Sequence, residues 1–150
     1  MRSNSGHGYR SLAVLALMLA AGCADSTIAP SADLTLRRGR WAAHGVTAYE
    51  YDYQVGGFLI SYAGHRIHLV VRNGVVQSAT DLTIGQAAPG PASAWPTIDA
   101  LFDEATQAAT EGSLRGIRFD PTLDYPTEID LAGPPDASGS VFASGLQALP

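Results

Sequence analysis

The stretch "RIHLVVRNGVVQSAT", Arg66 to Thr80, sets Asn-Gly between two apolar runs. Asn and Gly tolerate the positive φ that a two-residue turn requires, so the pair predicts a tight hairpin. With Asn73 and Gly74 as the turn, Arg72 faces Val75 and Val71 faces Val76. A period of two then puts Ile67, Leu69, Val71, Val76, Leu82 and Ile84 on one side, together with Ser78 and Thr80. His68, Arg72 and Gln77 fall on the opposite, wetter side. This hairpin is the seed of an antiparallel sheet with one buried face.

On the N-terminal side, "AYEYDYQV" alternates strictly, with Tyr49, Tyr51, Tyr53 and Val55 on one face and Glu50, Asp52 and Gln54 on the other. It reads as a half-buried strand with an aromatic inner face. Earlier still, "DLTLRRGRWAAHG" predicts a short helix from about Leu34 to His44, in which Leu36, Arg40 and Trp41 share a side and Gly45 is the stop. On the C-terminal side, "GQAAPGPASAWP", Gly85 to Pro96, has too much Gly, Pro and Ala for either period and reads as a loop. In "TIDALFDEATQAATEG", Thr97 is the N-cap, Asp99 complements the helix dipole and Gly112 closes the end. Ile98, Leu101, Phe102, Ala105 and Ala109 make one apolar stripe, so this helix covers the sheet. "LRGIRFD" and "TEIDL" supply two more alternating strands, joined by turn residues Pro121, Asp124 and Pro126. A last short strand near Val141 to Ala143 and a frayed end complete the chain. The expected fold is α+β: a single antiparallel sheet of about five or six strands with helix packed on one face.

Residues 1 to 22 have the parts of a secretory signal: the polar, basic "MRSNSGHGYR", the apolar "LAVLALMLA", and the small residues Ala20, Ala21 and Gly22. The apolar centre is too short for a permanent membrane span. Directly after it stands Cys23, the only cysteine of the 150-residue chain. "LAAGC" resembles the lipobox of bacterial lipoproteins, although Ala20 stands where that pattern most often has Leu. The resemblance implies cleavage between Gly22 and Cys23, a diacylglyceryl group on the thiol, and acylation of the new N-terminus. One acyl chain holds a protein to a bilayer only marginally, whereas several on one residue hold it essentially permanently. The polar "ADSTIAPSAD" that follows reads as a tether. The expected organisation is a leader at 1–22, a lipidated cysteine and tether at 23–33, and one globular domain at 34–150. Ala24 is not the Asp that favours inner-membrane retention in some Gram-negative lipoproteins. The periplasmic face of the outer membrane is therefore the expected location where the cell has one.

In order along the chain, Trp41 with "YEYDY", "LVVRNGVV", "PTIDALFDEA" and "FDPTLDYPTEIDL" resemble the bacterial lipoprotein family known as domain of unknown function 6174. The resemblance covers about Trp41 to Leu131 and supports the fold and an envelope location. Many members carry closely spaced cysteines after the first aromatic strand. Here that region reads "QVGGFLISYAG", so no disulfide or thiol chemistry carries over. The family brings no established activity.

Charge and motif content narrow the chemistry. All nine basic residues are Arg, and loss of Arg2 and Arg10 with the leader leaves seven against fourteen acids, a formal charge of −7. Such a surface repels phosphate backbones, with "RRGR" at 37–40 the one local exception, so nucleic acid is not an expected partner. His65 and His68 invite a metal reading, but residues three apart on a strand face opposite ways, which favours exposed imidazoles. Asp120, Asp124, Glu128 and Asp130 are oxygen donors that calcium would accept, but their spacing is not that of an EF-hand, and turn and surface roles are favoured. No Gly-x-Ser-x-Gly or phosphate-cradling glycine pattern occurs. No metal, cofactor or catalytic residue is therefore assigned.

The sequence points to a lipid-anchored, non-enzymatic envelope protein that binds the membrane through Cys23 and acts on an unidentified envelope protein or component. The alternative is a small-ligand protein with a pocket between sheet and helix. The candidate binding surface is Tyr51, Tyr53 and Trp95, with the 85–96 loop.

Overall fold

The computed structural model describes residues 30–57, 61–133 and 138–150. The leader, Gly22 and Cys23 lie outside the described residues.

Helix α1 runs Pro30–Ala43 and helix α2 Ile98–Glu111. The strands are β1 (Ala48–Gly56), β2 (Arg66–Arg72), β3 (Val75–Asp81), β4 (Gln86–Ala87), β5 (Leu114–Phe119), β6 (Pro126–Leu131) and β7 (Gly139–Ala148). They form one sheet in the order β4-β3-β2-β1-β7-β6-β5, antiparallel throughout. The α+β arrangement stands, but the count corrects the expected five or six strands to seven. The added element is β4, a two-residue edge strand inside the segment read as a loop. The expected short terminal strand is instead a ten-residue β7 in the middle of the sheet, between β1 and β6. Among the described residues no helix is long and apolar enough to cross a membrane.

α1 starts at Pro30, four residues before the expected boundary and within the stretch read as tether. Proline is favoured at the first helical position because its missing N–H would have no partner there. The buried residues are Leu34 and Trp41, seven apart and so nearly on one line, while Leu36 is 47% exposed. Leu36 and Trp41 are five apart, about 140° around the helix, and do not share a side as expected.

α2 follows its sequence signals. Thr97 Oγ1 accepts from the Ala100 amide at 3.2 Å, and Gly112 closes the helix in the left-handed conformation. Ile98, Leu101, Phe102, Ala105 and Ala108 are buried. They pack on the inward row of β1, on Ile67, Leu69 and Val71 of β2, and on Ile129, Val141 and Ala143.

The hairpin turns at Asn73 and Gly74, both at positive φ, with Val71 opposite Val76 and Arg72 opposite Val75. Past that point the register shifts: Val70 pairs with Ser78, so Gln77 is an extra residue in β3. A bulge of one residue exchanges the faces of everything beyond it. Ala79 and Asp81 therefore turn inward, Asp81 to 1% exposure, and Leu82 and Ile84 are 42% and 55% exposed. The bulge thus corrects the expected inward placement of Ser78 and Thr80, and that of Leu82 and Ile84 is corrected because β3 ends at Asp81 and both stand in the turn at 82–85.

Candidate functional site

The aromatic row of β1 does not form an open binding stripe. Tyr51 is fully buried, Trp95 is 7% exposed and Tyr53 8%. Tyr51 and Trp95 therefore present no surface, which corrects their assignment as a candidate binding surface. Ile98, Leu101 and Phe102 fill the space expected between Tyr51 and the helix. The phenols instead seat the start of α2: Tyr51 Oη donates to the Pro96 carbonyl at 2.5 Å, and Tyr49 Oη accepts from the Ile98 amide at 3.0 Å. Burial pushes the Tyr49 hydroxyl up to about 12 and holds those of Tyr51 and Tyr53 well above the ordinary tyrosine value, so all three are neutral hydrogen-bonding groups at physiological pH.

Tyr53 has a different position. It forms part of a cleft of about 350 Å³ at the end of the sheet, where β1 runs out and β7 begins, under the middle of α2. Val55, Leu131 and Val141 supply apolar walls, Tyr62 an aromatic one, and Glu104 of α2 a carboxyl. Tyr53 and Tyr62 both stand edge-on to Trp95, with ring centroids 6.0 and 5.0 Å away, which braces the aromatic side. Burial raises the pKa of the Glu104 carboxyl, and among the described residues it has neither a hydrogen-bond nor an ion-pair partner.

Gly56, Gly57 and Gly139 also line the cleft. Gly57 has φ +145°, and a Cβ there would lie 3.4 Å from the Ser138 carbonyl oxygen, while a Cβ at Gly139 would lie 3.3 Å from that of Gly56. The two strands approach as closely as backbones without side chains allow. A second hollow of about 420 Å³ adjoins, sharing Gly56, Gly57 and Ser138 to Ser140 and adding Arg115 and Asp130.

The other candidate groups have internal partners. His68 lies on the uncovered face of the sheet, with Nδ1 2.9 Å from Asp52 Oδ1 and Nε2 3.6 Å from Glu50 Oε2. His65 instead pairs with Asp81, Nδ1 to Oδ2 at 2.6 Å, so the two histidines do not converge. Asp120 Oδ1 accepts from the Thr122 and Leu123 amides, Asp124 accepts from Arg37, Glu128 pairs with Arg118, and Asp130 accepts from Ser140. No group of three or more His, Cys, Asp or Glu among the described residues is placed to hold a metal ion.

The "RRGR" tract is likewise absorbed by the fold. Arg37 reaches Asp124 at 2.5 Å and lies 5.2 Å above the Phe119 ring, Arg40 approaches Asp124 at 3.8 Å, and Arg38 pairs with Asp103 of α2 at 2.6 Å. Hydrogen bonding to Asp124 raises the Arg37 pKa further. The tract holds α1 to α2 and to the β5–β6 turn, where Asp124 takes a positive φ. Trp41 completes the seat through edge contacts with Tyr49 and Tyr125.

Of the three residues read as a candidate surface, Tyr53 lines the cleft, and the sequence singled out no role for Glu104, which lines it too. Its signal was positional: with Leu101, Ala105 and Ala108 it borders the buried stripe. The segments that resembled a family are those that make this architecture: the Tyr49–Tyr53 strand, the cap of α2 and the Asp120–Tyr125 turn. No curated protein and no solved structure matches the chain. Residues 33–139, from the first turn of α1 to the first residue of β7, match the family of unknown function DUF6174, and the chain belongs to that family.

Proposed function

We propose that this chain is a lipid-anchored protein of the bacterial cell envelope that binds a small, largely apolar ligand in the cleft between α2 and the β1–β7 end of the sheet. The cleft carries the reading. Its volume is in the range of small-molecule sites, and it combines apolar walls with a few polar groups, as such sites do. Binding rather than turnover is the proposed activity: the polar groups at its wall are tyrosine and serine hydroxyls and one carboxyl. Anchoring rests on the leader and on Cys23 beside Gly22, and favours the periplasmic face of an outer membrane.

Two measurements test the two halves of this reading. Labelling with radioactive palmitate in the native host is expected to mark the wild-type chain and to be lost in Cys23→Ala; equal labelling of both would refute the anchor. For the cleft, 4-phenylbutan-1-ol is expected to bind the full chain held in zwitterionic nanodiscs, by calorimetry after subtraction of empty discs. Ala132→Phe, which adds a ring at the cleft wall, is expected to weaken that binding at least about 10-fold, the equivalent of about 1.4 kcal/mol. Unchanged binding in Ala132→Phe would place the alcohol elsewhere.

A further inference from the structure

We infer that the ligand of the cleft carries a cationic amine, and that Glu104 is its counter-ion. The inference rests on the cleft being a ligand site and adds the chemical class of what enters it.

Glu104 is half-buried on α2 and contributes to the cleft wall beside Tyr53 and Tyr62. A carboxyl withdrawn from water normally acquires a cation or several hydrogen bonds, because burying an uncompensated charge is costly. This one has neither among the described residues. The chain contains no Lys. Arg38, the arginine that reaches α2, is committed to Asp103 at 2.6 Å. Arg37 and Arg40 are held at Asp124, and Arg66 at Asp52. The fold satisfies its buried carboxyls internally, Asp81 with His65 and Asp124 with Arg37, and among the described residues the half-buried Glu104 has no such partner.

The surroundings suit an ammonium group more than a neutral donor. Tyr53 and Tyr62 are electron-rich rings, and aromatic faces attract organic cations. Val55, Leu131 and Val141 in the same lining accept an apolar body. Burial raises the Glu104 pKa, which a bound cation would reverse by favouring the carboxylate. Arg115 in the adjoining hollow is the competing handle, and it would select a carboxylate ligand.

Three probes of nearly equal shape separate these outcomes: 4-phenylbutylammonium, 4-phenylbutan-1-ol and 4-phenylbutanoate, titrated into the full chain in zwitterionic nanodiscs with empty discs subtracted. The ammonium is expected to bind about 10-fold more tightly than the alcohol, since a charge-assisted contact is roughly twice as strong as a neutral one. The carboxylate is expected to bind most weakly. Glu104→Gln is expected to remove the roughly 10-fold preference, bringing the ammonium-to-alcohol affinity ratio to about one, and a urea midpoint close to that of the wild type reports that the variant is folded. Equal binding of all three, or an ammonium preference that survives in Glu104→Gln, overturns the assignment of Glu104 and leaves the cleft standing. Preference for the carboxylate overturns it in favour of Arg115. Binding of none of the three removes the ligand site and this inference with it.

Discussion

Tyr51→Ala is expected to destabilise the full chain by about 4 kcal/mol, in the range observed when a large buried aromatic is truncated. Stabilities of single domains run to about 5–15 kcal/mol, so the variant approaches unfolding. Tyr51 is fully buried at the centre of the sheet's inner face, and its ring lies 6.0 Å from that of Tyr49. Ile98 and Leu101 of α2, both fully buried, belong to the same packed cluster. Its hydroxyl also donates to the Pro96 carbonyl one residue before the Thr97 cap, so the side chain ties the strand to the helix start. Tyr51→Phe separates the two contributions. It keeps the ring but leaves the Pro96 carbonyl without this donor, at an expected cost of about 1 kcal/mol. Urea unfolding followed by tryptophan fluorescence measures both, since Trp41 and Trp95 belong to this core. A loss of under about 1 kcal/mol in Tyr51→Ala would contradict the seating of α2 on β1.

Asp81→Ala is expected to cost about 1–3 kcal/mol, the range for leaving hydrogen-bonding partners unsatisfied, because it strips His65, which retains 31% side-chain exposure, and the Thr83 amide of their acceptor. Asp81 is buried only because the bulge at Gln77 turns it inward. There Oδ2 lies 2.6 Å from His65 Nδ1, and Oδ1 accepts from the Thr83 amide at 2.9 Å, which shapes the turn leading to β4. The hydrogen bond with His65, then that with Thr83, holds the carboxyl below its ordinary value. In the unfolded chain the group titrates near 4. As pH falls the unfolded chain therefore takes up this proton before the folded one. The contribution is full above about pH 4 and is lost as pH drops through the lower folded value. Urea midpoints measured between pH 6 and 2 are expected to fall more steeply for the wild type than for Asp81→Asn. Parallel curves would show that this carboxyl is not what acid removes.

Much of the architecture was legible because its signals are local. Asn73-Gly74 encodes a turn by its tolerance of positive φ, the Tyr49–Val55 alternation encodes a face, and Thr97, Asp99 and Gly112 mark the two ends of a helix. Each depends on a few neighbouring residues and survives transplantation into the fold. The misreading of α1 was of a different kind: Leu36 and Trp41 are too far apart around a helix to share a side, and Leu34 was the better partner. The failure beyond Gln77 was not local. A bulge belongs to a pair of strands, and nothing in "VVQSATDLTI" announces that Val70 will skip to Ser78. Asp81, which an unbroken alternation would leave on the wetter side with Gln77, is instead a buried pairing group.

The candidate site was less legible than the fold. Tyr51, Tyr53 and Trp95 read as a candidate binding surface, but whether such residues bind or pack depends on what covers them: Tyr51 shares the core with residues of α2, and Tyr53 and Tyr62 stand edge-on to Trp95. "RRGR" had the composition of an anion site and proved to be a set of internal straps, because Asp103 and Asp124, distant in sequence, lie within reach once α1 docks. Glu104 carried no motif at all.

By itself the sequence determined the antiparallel hairpin and the capped helix over an apolar strand face. Only the tertiary structure decided the seven-strand order with β7 between β1 and β6, the inward turn of Asp81, and the cleft that Glu104 lines. The division follows from range: periodicity and capping act within a turn or a few strand residues, whereas register, strand order and the pairing of charges are set by which distant segments meet, and no residue carries that information alone.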